Sequence, residues 1–161
     1  MITSLPTSTR NSLQSWGITV LRIVIGFVFL MHGWQKFFQY GLDGVGGAFT
    51  QLGIPLPYFS AILAATAEGL GGLLLLLGLG TRFAAVLLAF TMLVAWLTAH
   101  RSGFFLPAGG EYAITLLGAS VALILTGPGK LALDNVVNPL ERATEADERH
   151  ETRLGVTPVH A

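Results

Sequence analysis

The sequence predicts an all-α membrane protein, a four-transmembrane-helix bundle. Three observations carry that expectation. The 161 residues are 52% hydrophobic and 11% charged, against about 25% charged in an ordinary soluble domain. Most of the charge lies toward the two ends, so the middle is more apolar still. Four apolar runs of helix length are separated by stretches rich in Gly and Pro, which punctuate helices.

The first run, about residues 16–38, opens on Trp16 and is almost wholly apolar from Ile18 to Met31. About 20 such residues span a bilayer core. Arg22, His32 and Lys36 decorate it. At 100° per residue, Lys36 lies about 40° and His32 about 80° from Arg22, so the three share one stripe. The segment before it, 1–15, reads as a polar N-terminal tail. The apolar run continues without a small-residue cleavage site, so no removed signal peptide is expected. The linker from Gly41 to Pro57 carries Leu42, Val45, Phe49, Leu52 and Ile54. That is too apolar for a solvated loop, and a short interfacial helix or re-entrant segment is expected there.

The second run, about 58–79, holds a single charge, Glu68. Ala61, Ala64, Ala65, Gly71 and Gly72 fall within about 60° of it. The carboxylate thus shares the one face on which helix backbones can approach closely, and an ionisable residue on such a face points into the bundle. Gly80 suits the position after the helix end, and Thr81 suits the cap of the next helix. The tight turn makes runs two and three an antiparallel hairpin.

The third run, about 82–100, begins at Arg82 and closes on His100 and Arg101, with Met92 and Trp96 on the His100 face. Phe104, Phe105 and Pro107 in the following linker suggest an aromatic plug at the interface. The fourth, about 111–126, is short, and Thr115, Gly118 and Ala122 form a small-residue stripe near the Glu111 face. Gly127-Pro128-Gly129 ends it. Residues 135–161 read as a polar, flexible tail.

Lys and Arg favour the cytoplasmic flanks of spanning helices. Arg10, Arg82, Lys130 and Arg142 lie on one side, Lys36 and Arg101 on the other. Both termini are therefore expected in the cytoplasm, with the chain multi-pass in the plasma (inner) membrane. This topology gathers His32, Lys36, His100, Arg101, Glu111 and Tyr112 near the outer end.

Taken jointly, His32, Lys36, Glu68, His100, Glu111 and Tyr112 are candidates for ligand binding or proton handling. Neutral imidazole donates or accepts near working pH, and a pocket of such groups beside aromatic rings suits a quinone headgroup. Taken singly, each also has a structural reading. Glu68 could bond Arg22, Lys36 or a hydroxyl simply to lock helices, and Arg22 and Arg82 are assigned to a structural polar core. Haem between His32 and His100 rests on two histidines and is disfavoured. A metal site from His32, His100 and Glu111 is equally weak, and none is assigned. The chain has no cysteine and zero formal net charge. It therefore offers no thiol chemistry of its own and no nucleic-acid surface.

At these residues the chain resembles the DoxX family of small integral membrane proteins. The similarity lies in LRIVIGFVFLMHGWQK from Leu21 to Lys36, and in Ala67-Glu68-Gly69-Leu70-Gly71-Gly72 with Gly78-Leu79-Gly80-Thr81-Arg82. It continues through Gly109-Gly110-Glu111-Tyr112 and the run from Gly127 to Asp134. It covers about 19–134. The resemblance implies a four-helix membrane domain over about 16–134. It also implies that Arg22, His32, Lys36, Glu68, Arg82, Glu111 and Tyr112 occupy the family's polar positions. The family is named for similarity to small subunits of thiosulfate:quinone oxidoreductase systems. The function expected on that basis is an accessory subunit of a quinone-linked membrane redox system with a membrane or extracytoplasmic partner. A non-catalytic assembly or scaffold protein, and small-solute transport by a homo-oligomer, are the alternatives. Whether the chain catalyses a reaction stays open.

Overall fold

The computed structural model describes residues 6–101, 103–105 and 109–137. Of the tail expected at 135–161, residues 138–161 lie outside them, and Asn135 to Val137 belong to a final helical turn. Among the described residues all regular secondary structure is helical. It forms α1 (Thr7–Trp34), a π-helical turn (Gln35–Gln39), α2 (Gly41–Gln51), α3 (Pro57–Leu77), α4 (Thr81–Thr98), α5 (Glu111–Thr126) and a single turn, α6 (Asp134–Val137). Three helices are long and apolar enough to cross a membrane, and α5 is a shorter apolar one. The molecule is an all-α membrane bundle in a lipid environment.

Packing between α1 and α3 is the tightest in the bundle, and glycines explain it. A Cβ on Gly33 would stand 2.3 Å from the backbone nitrogen of Gly69, and one on Gly72 would stand 2.3 Å from that of Leu30. Any side chain there would drive the helices apart, so backbone packs directly on backbone. On the neighbouring side of α3, Gly71 faces the Leu88 side chain of α4. The core then fills with Ile25, Phe29, Leu75, Ala84, Ala85, Leu88, Met92, Leu116 and Leu123 from α1, α3, α4 and α5. The small face around Glu68 is thus the meeting surface of three helices. The stripe expected on α5 is not used this way: Thr115 and Gly118 are exposed, and nothing lies within 4 Å of a Cβ placed on Gly118. Ala113, Leu116, Ser120 and Leu123 face inward instead.

Three local expectations change. First, α1 begins at Thr7, so most of the segment read as a tail is helix. Pro6 precedes the first turn and neither Gly nor Pro interrupts Thr7–Trp16. Lys130 holds this overhang from the other end of the chain, with its Nζ 3.3 Å from Ser12 Oγ and 5.6 Å from the centre of the Trp16 ring. Second, α3 ends earlier, at Leu77, with Gly78 left-handed at φ +67°. The Gly78 N–H donates to Leu75 and the Leu79 N–H to Leu74, closing the helix end. Third, Thr81 does not cap α4. The Asp134 carboxylate does so, accepting the N–H groups of Gly80 at 2.6 Å and Thr81 at 3.0 Å. A carboxylate satisfies orphan donors at a helix N-terminus and opposes its partial positive charge.

The linker between α1 and α3 folds as α2, which packs on α3 through Val45 and Gly46. It leads into Leu56, whose φ of +48° is left-handed. Pro57 then starts α3 at a position suited to it.

Candidate functional site

The chemistry-bearing residues divide between the two ends of the bundle. At the end where α3 turns into α4, Arg22 is 1% exposed. Its guanidinium donates only to backbone carbonyls: Nε to Pro128 at 2.8 Å, Nη1 to Leu75 and to Leu76 at 3.1 Å, and Nη2 to Leu131. Leu75 and Leu76 belong to the last turn of α3, whose carbonyls are beyond the reach of the regular helical ladder and carry the negative end of the helix dipole; that of Leu75 also accepts the Gly78 N–H. One guanidinium therefore ties α1 to the end of α3 and to the segment after α5. That segment is held again by Thr19, whose hydroxyl accepts the Lys130 N–H at 2.8 Å while donating to Ser15. Asn135 closes it by donating to the Gly129 and Lys130 carbonyls.

Arg82 does not share in this network. It is exposed at the start of α4, with its guanidinium beside Gly127. Its place one residue beyond the turn leaves it outside the polar core to which the sequence assigned it. Lining a shallow groove between α1 and α5 near this end are Gln14, Gly17, Ile18, Leu21 and Thr126, all uncharged.

Near the other end, α1, α3 and α5 bring four polar side chains together. Lys36 forms an ion pair with Glu68, and their side chains are 18% and 4% exposed. Of the partners weighed for Glu68, Lys36 is the one that reaches it, because Arg22 stands level with the far end of α3. Burying one charge without the other costs several kcal/mol, so the pair stands or falls together. Lys36 lies on the π-helical turn, where the Tyr40 N–H bonds back to Gln35 at 3.0 Å. Such widened turns recur at functional sites. One turn before it, the His32 ring nitrogen Nδ1 is 2.9 Å from the Val28 carbonyl. The His32 ring also packs against Tyr112 of α5, centroids 5.7 Å apart and planes tilted 31°. Tyr112 is within electrostatic range of Glu68 and is partly exposed on the outside of the bundle. The sequence had named all four without showing which would touch.

His100 stands apart from them. Its Nδ1 is buried without a hydrogen-bond partner among the described residues, and its carbonyl and the Trp96 ring lie where a Cβ on Gly110 would fall. No hydrogen bond or ring contact joins it to Lys36, Glu68, His32 or Tyr112. Glu111 begins α5 half-buried, with its N–H donating to Phe104 at 2.9 Å. Among the described residues no three His, Asp or Glu side chains converge as a metal-ligand set.

The fold and these polar positions define a multi-pass membrane protein of the small helical-bundle class. The DoxX family profile matches residues 17–101, and the chain belongs to the DoxX family. It is 38% identical over 121 residues to a Bacillus subtilis (strain 168) protein named "Putative oxidoreductase CatD", covering 75% of this chain and 87% of that one. It is 35% identical over 145 residues to the uncharacterized membrane protein Rv3486 of Mycobacterium tuberculosis (strain ATCC 25618 / H37Rv), covering 82% and 86%. The inner membrane protein YphA of Escherichia coli (strain K12) is 32% identical over 124 residues, covering 73% and 87%. No solved structure matches the chain.

Proposed function

We propose that this protein is an accessory subunit of a quinone-linked redox system in the plasma (inner) membrane, with both termini cytoplasmic. In this reading the Lys36–Glu68–His32–Tyr112 cluster is its ligand and proton-handling site near the outer face. The observation that carries it is the convergence of a buried ion pair, an imidazole and a phenol from three helices on one place. Such a group of titratable side chains in an apolar bundle is costly to keep and can bind a polar headgroup and exchange protons with it. The relative named as an oxidoreductase supports a redox role. Arg10, Arg82 and Lys130 at the opposite end support the orientation.

Native mass spectrometry from mild detergent tests the reading. A mass increment matching a quinone is expected on the wild-type protein and is expected to be lost in Glu68→Gln. A second reading, a scaffold without ligand, is favoured by the fact that Lys36 already satisfies Glu68. A bare mass with a stoichiometric protein partner would select it.

A further inference from the structure

The hydrogen bonds around His32 restrict what the cluster can recognise. A carbonyl oxygen only accepts, so the contact with Val28 places the ring hydrogen of the neutral imidazole on Nδ1. Nε2 is then the ring's lone-pair nitrogen, an acceptor, and no hydrogen bond from the described residues occupies it. One turn on, Lys36 spends one donor on Glu68 and keeps others, since an ammonium carries three. The partly exposed Tyr112 ring packs beside the imidazole and offers a face for a second ring. His32 at the end of α1 and Lys36 on the π-helical turn, four residues on, thus offer an acceptor and a donor on neighbouring turns, next to an aromatic surface open to the outside of the bundle.

A hydroxyl meets both demands at once: it donates to Nε2 and accepts from Lys36 Nζ. A ring carbonyl can take only the lysine and would set its own lone pair against that of Nε2. We propose that the cluster recognises a ring hydroxyl, binding a hydroquinone or similar phenolic headgroup in preference to the corresponding carbonyl form. His32 is the residue that sets the preference. This rests on the reading of the cluster as the ligand site, and it adds the reduced form of the headgroup as the one held.

Binding of three short-chain probes to the full chain in lipid nanodiscs, without oxygen, tests it. The probes are decylubiquinol, decylubiquinone and the dimethyl ether of the quinol, which keeps the ring and loses both hydroxyl hydrogens. One neutral hydrogen bond gained, with none left opposed, corresponds to roughly tenfold in affinity. The quinol is expected to bind about tenfold more tightly than either other probe, and His32→Phe is expected to bring the three together while keeping a ring against Tyr112. Equal binding of quinol and quinone by the wild type overturns the preference and leaves the ligand site standing. A preference that survives His32→Phe overturns the role of His32. Failure of all three probes to bind overturns both the preference and the reading beneath it. The wild-type comparison decides even where the variant does not fold.

Discussion

Arg22 shows why a buried charge need not seek an opposite charge. Its donors meet four carbonyls at a helix end and in the segment after α5, of which only that of Leu75 also accepts a backbone N–H, from Gly78. Replacing it removes those bonds and leaves the partly buried carbonyls of Leu76, Pro128 and Leu131 without that donor, each at about 1 kcal/mol or more. Arg22→Met is expected to destabilise the bundle by about 3 kcal/mol or more, read as a lowered Tm in detergent. Arg22→Lys should recover only part of the loss, because a single ammonium cannot match a planar fork. An unchanged Tm in Arg22→Met would show that the carbonyls are satisfied in another way. The position of Arg22 on a polar stripe was visible in the sequence, but its partners were not. Backbone carbonyls carry no residue identity, so a charge bound to them looks the same in sequence as a charge awaiting a carboxylate. Lys36 and Glu68 were easier to find, since a lone acid among small residues marks a contact face. Choosing Lys36 over Arg22 as its partner needed the axial register of α1 on α3, which helical angles do not contain.

At the scale of the element, two glycines in similar apolar helices predict opposite results. Gly33 meets the Gly69 backbone, whereas Gly118 meets nothing within 4 Å. Gly33→Ala is expected to cost about 1–3 kcal/mol through overpacking. Gly118→Ala is expected to be neutral or to stabilise by up to about 1 kcal/mol, because alanine is the better helix former. Thermal unfolding of the two variants side by side checks this, and equal effects would contradict the α1–α3 packing. The helices were legible from apolar runs and Gly/Pro breaks. Their ends were less so. Thr81 has the residue type of a cap, but Asp134 performs the capping from 53 positions along the chain. Only the tertiary fold brings that carboxylate to the turn. The start of α1 was hidden for a related reason: polar residues in Thr7–Ser15 are compatible with a helix that lies outside the apolar layer, and composition alone does not separate it from a tail.

For the whole molecule, the segregation of its polar groups is the main feature: a carbonyl-bound arginine and the closing segment at one end, the ion pair and aromatic contact toward the other. The proposed orientation makes the two ends distinguishable from outside the cell. The sequence contains no cysteine, so single substitutions can be labelled without background. Asp43→Cys on α2 is expected to react with an impermeant maleimide in intact cells, and Lys130→Cys only after permeabilisation. The reverse pattern would invert the topology and move the cluster to the cytoplasmic side. The closing segment also bears on the order in which the protein is made. Arg22 emerges from the ribosome early, yet two of its carbonyl partners, Pro128 and Leu131, are synthesised more than 100 residues later. Until then the first helix carries a cation whose final seat does not exist. The seat of Arg22 is therefore completed only after α5 has been made, so the lock between the first helix and the rest of the bundle closes at the end of synthesis.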